Sequence, residues 1–166
     1  MQGLLREMKE NPVSIGFLKR RVPDGVKVVS YQKLKAGRAA LFKGGKPVIV
    51  LIPRKGYDEG HFICLVPWKR SIEYFSSIGN SPQAELAMLD EPLGIMMDIL
   101  GKNFTYNRVK LQSGKYNIND CAAFCLGRVI LHKMKLRDFI GLFKKRVLRS
   151  ADDVIAMMTL LHFVDK

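Results

Sequence analysis

The chain has 166 residues, 48% of them hydrophobic, and a formal net charge of +13. That length supports one substantial core rather than two, so a single domain spanning 1–166 is expected. Three cysteines, no apolar leader at the N-terminus and no apolar run near the ~18 residues that span a bilayer point to free thiols in a soluble, intracellular protein.

In chain order, residues 2–20 read as helical with a break at Asn11-Pro12, where Asn11 can cap a second short helix and Pro12 can take its first position. Pro23-Asp24-Gly25 is a turn signal ahead of a first strand at Val26-Lys27-Val28-Val29. Further strands are expected at 39–42, 47–52, 61–68, 72–77 and 103–111, rich in Val, Ile, Phe and Tyr and punctuated by glycines, with one helix between them at about Pro92 to Leu100. From Cys121 the period changes to helical: Cys121 to about Lys135, Leu136 to Leu148, and Ala151 to Val164, the last opened by Ser150-Ala151-Asp152-Asp153. Strands grouped centrally and helices grouped at the ends predict an α+β fold with a mixed or antiparallel sheet, and disfavour a parallel doubly wound one.

Charge is unevenly spread. Residues 1–55 carry a net +10, residues 56–131 a net −1 and residues 132–166 a net +4. Lys19-Arg20-Arg21, Lys43 with Lys46, Arg54-Lys55 and Lys144-Lys145-Arg146 could neutralise phosphates on a nucleic acid without sequence preference, or simply keep the surface solvated. Charge alone names no groove, base or module.

Chemistry concentrates in Asn117-Ile118-Asn119-Asp120-Cys121-Ala122-Ala123-Phe124-Cys125, where a cap-rich run opens on an apolar helical pattern. A thiol there meets the N-terminal end of a helix, whose free N–H groups and dipole favour thiolate. A partner base stands sixty positions upstream, His61, in Gly60-His61-Phe62 at the start of an apolar strand. Cysteine with histidine suggests acyl transfer. Cys64 and Cys125 read as core, His132 and His162 as structural histidines in helical patterns, and the paired methionines as core filler. No Cys/His spacing suggests zinc and no Gly-rich loop suggests a phosphate site, so no cofactor or metal is expected.

Taken in order, Gly60-His61-Phe62, Glu73-Tyr74-Phe75-Ser76-Ser77-Ile78-Gly79, Gln112 and Asn117-x-x-Asp120-Cys121-Ala122 resemble the signature of the adenain-like cysteine proteases, the group of the adenovirus maturation protease and the SUMO-specific proteases. The resemblance covers about residues 26–135. It implies a papain-like, circularly permuted protease architecture in which Cys121 is nucleophile, His61 general base and then acid, and Gln112 an oxyanion donor. It also implies protein substrates, viral capsid or core precursors cut at sites with small, glycine-like residues, in an infected cell and its virions. It leaves an activating peptide open.

The chain departs from that pattern in places. Ser76 stands where relatives carry the acid or amide that orients the histidine; its hydroxyl can hold a tautomer but cannot stabilise imidazolium as a carboxylate would. Glu73, at an odd offset from Ser76, faces the other side of the strand, while Asp58 and Glu59 precede His61 on a loop and remain candidates. Ala122 replaces glycine after the nucleophile, adding a methyl where an oxyanion must approach. Gln112 lies nine residues before Cys121, a wider spacing than usual. Trp68 could wall the site or pack elsewhere. These departures support an alternative, a catalytically degenerate protease-fold protein that binds nucleic acid or a protein partner through its basic surface.

Overall fold

The computed structural model describes residues 13–56, 60–112, 118–144 and 153. Residues 1–12, Asp58, Glu59, Lys145, Arg146, His162 and, apart from Asp153, the helix expected at Ala151 to Val164 lie outside the described residues.

Among the described residues five strands form one mixed sheet in the order β1-β2-β3-β4-β5: β1 is Lys27–Ser30, β2 Val48–Pro53, β3 Gly60–Pro67, β4 Ile72–Phe75 and β5 Phe104–Tyr106. The central pairs β2/β3 and β3/β4 are antiparallel, whereas β1/β2 and β4/β5 are parallel. β2 and β3 are long apolar runs that each end on a proline, which cannot donate to a further ladder bond. Both faces of the sheet are covered, which is why these strands are apolar almost throughout rather than alternating.

Alternation along the strands divides the core. Val48, Val50, Ile52, Ile63, Leu65, Ile72 and Tyr74 face the 3₁₀ turn Tyr31–Ala36 and the helices α3 (Pro82–Met88) and α4 (Leu93–Leu100). Ile49, Phe62, Cys64, Val66 and Phe75 face α1 (Ile15–Lys19), α5 (Ile118–Ile130) and α6 (Leu136–Lys144). The architecture is therefore α+β, with a five-stranded mixed sheet packed by helices on both sides. No helix among the described residues is long and apolar enough to cross a membrane.

Three expectations are corrected. Residues 39–42 are not a strand: Arg38–Leu41 forms the helical turn α2, because Gly37 at φ 83° redirects the chain into four good helix formers. The strand expected to reach 111 stops at Tyr106, because the Asn107 side chain takes over the hydrogen bonding. Its Nδ2 donates to Ser76 O and Val109 O, and its Oδ1 accepts from Val109 N, each at 2.8 Å. Helix α3, which no expectation placed, starts at Ser81, whose Oγ accepts from Ala84 N at 3.2 Å with Pro82 in the first turn. Helix α5 begins three residues ahead of Cys121 and ends at Ile130 rather than near 135.

Candidate active site

The strand pair β3/β4 is closed only from Cys64↔Phe75 to Pro67↔Ile72. Beyond Phe75 the chain leaves the ladder through Ser76, Ser77 and a turn in which Gly79 sits at φ 75°. Gly79 allows a close approach, since a Cβ there would lie 2.7 Å from Val109 C. The loop carrying Gln112 therefore packs on this turn, with Leu111 N and Gln112 N donating to Ser77 O at 2.8 and 3.2 Å. The early part of β3, with His61 and Phe62, is left without a β4 partner.

Two groups use that opening from opposite faces. His61 shares the face of Ile63 and Leu65, toward α3. Cys121, at the end of the first turn of α5, belongs to the cluster on the other face, and its Sγ accepts the Phe62 N–H at 3.2 Å. The sulfur thus takes a backbone donor that β4 no longer meets. Sulfur and imidazole interact directly: the Cys121 side chain is His61's hydrogen-bonding and electrostatic partner.

On its other side His61 Nε2 lies 2.9 Å from Glu85 Oε1 and 3.1 Å from Ser76 Oγ. Ser76 Oγ donates to Glu85 Oε1 at 2.8 Å, so the imidazole N–H is shared between the serine oxygen and the carboxylate. Glu85 Oε2 accepts from Tyr74 Oη at 2.5 Å. With Nε2 held by oxygen, Nδ1 is the nitrogen available to the sulfur. His61 is 3% exposed, Cys121 1% and Glu85 fully buried. Burial by itself would push the imidazole down; the Cys121 sulfur and then the Glu85 carboxylate overcome it and hold His61 up at about 10.

Gln112 lies alongside, 2% exposed, its Oε1 accepting from Ser77 Oγ at 2.9 Å. That bond fixes which end of the amide is oxygen and leaves its NH₂ group as the donating end. Cys121, His61, Ser76 and Gln112 are thus gathered around one end of β3 from β3, the β4 end, the 107–112 loop and α5.

The carboxylate behind the imidazole is the part that sequence reasoning missed. Glu85 comes from α3, nine positions after Ser76, and reaches the place that the motif gives to Ser76. Its sequence signal was a lone acid between apolar positions of a short helix with a good cap, Ser81-Pro82-Gln83-Ala84-Glu85-Leu86. Glu73 belongs elsewhere: it pairs with Arg128 of α5 on the opposite face, at 2.7 and 2.9 Å. Trp68 does not wall the site, for it stands at the far end of β3, 37% exposed, with Nε1 on Glu73 Oε2 at 3.3 Å. The Ala122 methyl is buried in the core.

The remaining candidates are structural. Burial pushes the thiols of Cys64 and Cys125 up, disfavouring thiolate at either. His132 Nδ1 bonds Val129 O at 2.8 Å. Lys19, Lys27 and Lys33 surround a shallow cleft of about 400 Å³ beside β1, and Arg21 stacks on Phe17. Chemically, a thiol joined to an imidazole that is backed by a carboxylate can perform nucleophilic acyl transfer. Neither a protein-family model nor a curated protein sequence matches the chain.

Proposed function

We propose that the chain is a thiol endopeptidase with Cys121 as nucleophile and His61 as base and then acid, and that it has the permuted, papain-like protease architecture its motifs resemble. The observation that carries this reading is the position of His61 between the Cys121 sulfur on one side and Glu85 with Ser76 on the other. His61 holds the proton that Cys121 has given up, and the sulfur attacks the substrate carbonyl carbon. The resulting oxyanion is met by the Gln112 amide and the backbone N–H of Cys121. His61 then protonates the departing amine as the C–N bond breaks, and takes a proton from the water that cleaves the thioester. Glu85 and Ser76, both at Nε2, fix the imidazole, and Glu85 stabilises its charged form. The sulfur is almost covered, so peptide cleavage requires the covering residues to give way to substrate.

The substrates we propose are viral structural precursors cut beside small residues, with an infected cell and its virions as the setting. The test is cleavage of glycine-containing peptides by the purified chain beside Cys121→Ala. Loss of cleavage with the fold intact supports the assignment, and undiminished cleavage by the variant overturns it. A degenerate protease fold that binds nucleic acid is the second reading, favoured by the burial of Cys121 and the +10 of residues 1–55. It predicts no cleavage together with duplex DNA binding that weakens log-linearly with salt, by a slope of about 0.9 per phosphate neutralised.

A further inference from the structure

Glu85 is seated in a wholly buried site, yet neither of its oxygens is left without a donor. Oε1 takes the Ser76 hydroxyl and the His61 ring N–H; Oε2 takes the Tyr74 hydroxyl at 2.5 Å. Three donors converging on one carboxylate is the pattern an anion accepts. Tyr74 reaches it from β4, on the strand face that also carries Ser76, so strand and helix hold the carboxylate between them.

Resting on the protease reading, we infer that Tyr74 is a positioning residue for the reaction: its hydroxyl fixes Glu85 Oε2, keeping Oε1 aimed at His61 Nε2 as a carboxylate. Without that hydroxyl, Oε2 would be a buried oxygen with no donor, and the carboxylate would either rotate away from His61 or take the imidazole's proton. Either outcome removes one of the causes, second to the Cys121 sulfur, that hold the proton on His61. Tyr74 suits the task because its own proton is held. Burial, reinforced by the Glu85 charge, pushes the phenol well above its ordinary value, so it donates and does not ionise. The other titratable groups facing this cluster are Cys121 and Cys125 from α5 and Tyr31 from the 3₁₀ turn. Burial raises both Cys125 and Tyr31, which keeps them neutral at pH 7.

The test is Tyr74→Phe, which keeps the ring and removes one oxygen. Two readouts are taken: peptide cleavage, and the ¹⁵N shifts of the His61 ring, one of three histidines in the chain. The parent protein should show imidazolium at pH 7. Tyr74→Phe should show a wholly or partly neutral ring, with kcat lower by about tenfold or more and KM unchanged, the usual size for one hydrogen bond to a charged group. Because Tyr74 acts through Glu85, its substitution should cost little further in a Glu85→Gln background. Should Tyr74→Phe not fold, 3-fluorotyrosine at position 74, a stronger donor of similar shape, should retain imidazolium and activity, and loss of both would overturn the inference. Unchanged ring shifts and kcat in Tyr74→Phe overturn it as well. A neutral His61 in the parent protein at pH 7 would also overturn the inference, whereas undiminished cleavage by Cys121→Ala would overturn the protease reading itself.

Discussion

Two buried carboxylates join the sheet to the helices on its two faces, and they do different work. On the α5 face, Glu73 meets Arg128 through two hydrogen bonds, and the guanidinium also donates to Leu131 O and Met134 O and lies over the Phe139 ring. On the α3 face, Glu85 meets His61, and behind it Ser76 and Tyr74. Arginine cannot lose its proton in a protein, so the first pair is a fixed charge that joins β4 to α5. Histidine can, so the second pair is adjustable, and its imidazole has a sulfur on its far side. A carboxylate buried against a permanent cation is a fastening; one buried against a titratable ring in contact with a thiol is equipment for moving a proton.

The comparison can be broken from either side. The largest effect belongs to the fastening: Arg128→Met leaves Glu73 buried without its cation, and should lower unfolding free energy by about 3–5 kcal/mol in denaturant titration. The protein that remains folded should cleave peptide at an unchanged rate, since Arg128 faces away from His61. Glu85→Gln should do the reverse, with activity falling about a hundredfold or more and a smaller change in stability. It also moves a pH limb. His61 is held up at about 10, so on the proposed mechanism the protonated ring that serves the leaving amine persists through neutrality, and kcat/KM should fall only as pH rises through about that value. Removing Glu85 removes one of the causes that raise it, so in Glu85→Gln this limb should appear at lower pH; an unmoved limb would mean that Glu85 is not the group behind the ring. The smallest effect is at Ser76. Ser76→Asp would restore the acid of the motif but place a second carboxylate against Glu85 Oε1, now 2.8 Å from the serine oxygen, and should lower kcat by about tenfold. A gain in activity would show that Ser76, not Glu85, holds the orienting position.

The elements that sequence revealed most clearly are β2 and β3, because apolar runs bounded by Gly and Pro can hardly be anything but buried strands. Helix α3 escaped notice because seven residues give fewer than two full periods, although Ser81-Pro82 carried the start signal. Arg38–Leu41 misled for a similar reason, as four residues between glycine-rich turns fit either period. The site divides the same way. His61, Gln112 and Cys121 stood in an ordered motif, so their residue types and spacing were readable. Glu85 was not, because the motif's own position is occupied by Ser76 and the substitute arrives on a different element. The Glu73–Arg128 pair, 55 residues apart, depends on α5 crossing the sheet and has no local signal.

The central claim is that Cys121 alone among the three cysteines is a reactive thiol, poised by His61. Brief treatment with iodoacetamide at pH 7, followed by peptide mapping, tests it without needing a substrate. Rapid modification of Cys121, slow or no modification of Cys64 and Cys125, and suppression of the Cys121 reaction in His61→Ala are the predicted results. Equal, slow labelling of all three cysteines, or a Cys121 rate indifferent to His61, would contradict it.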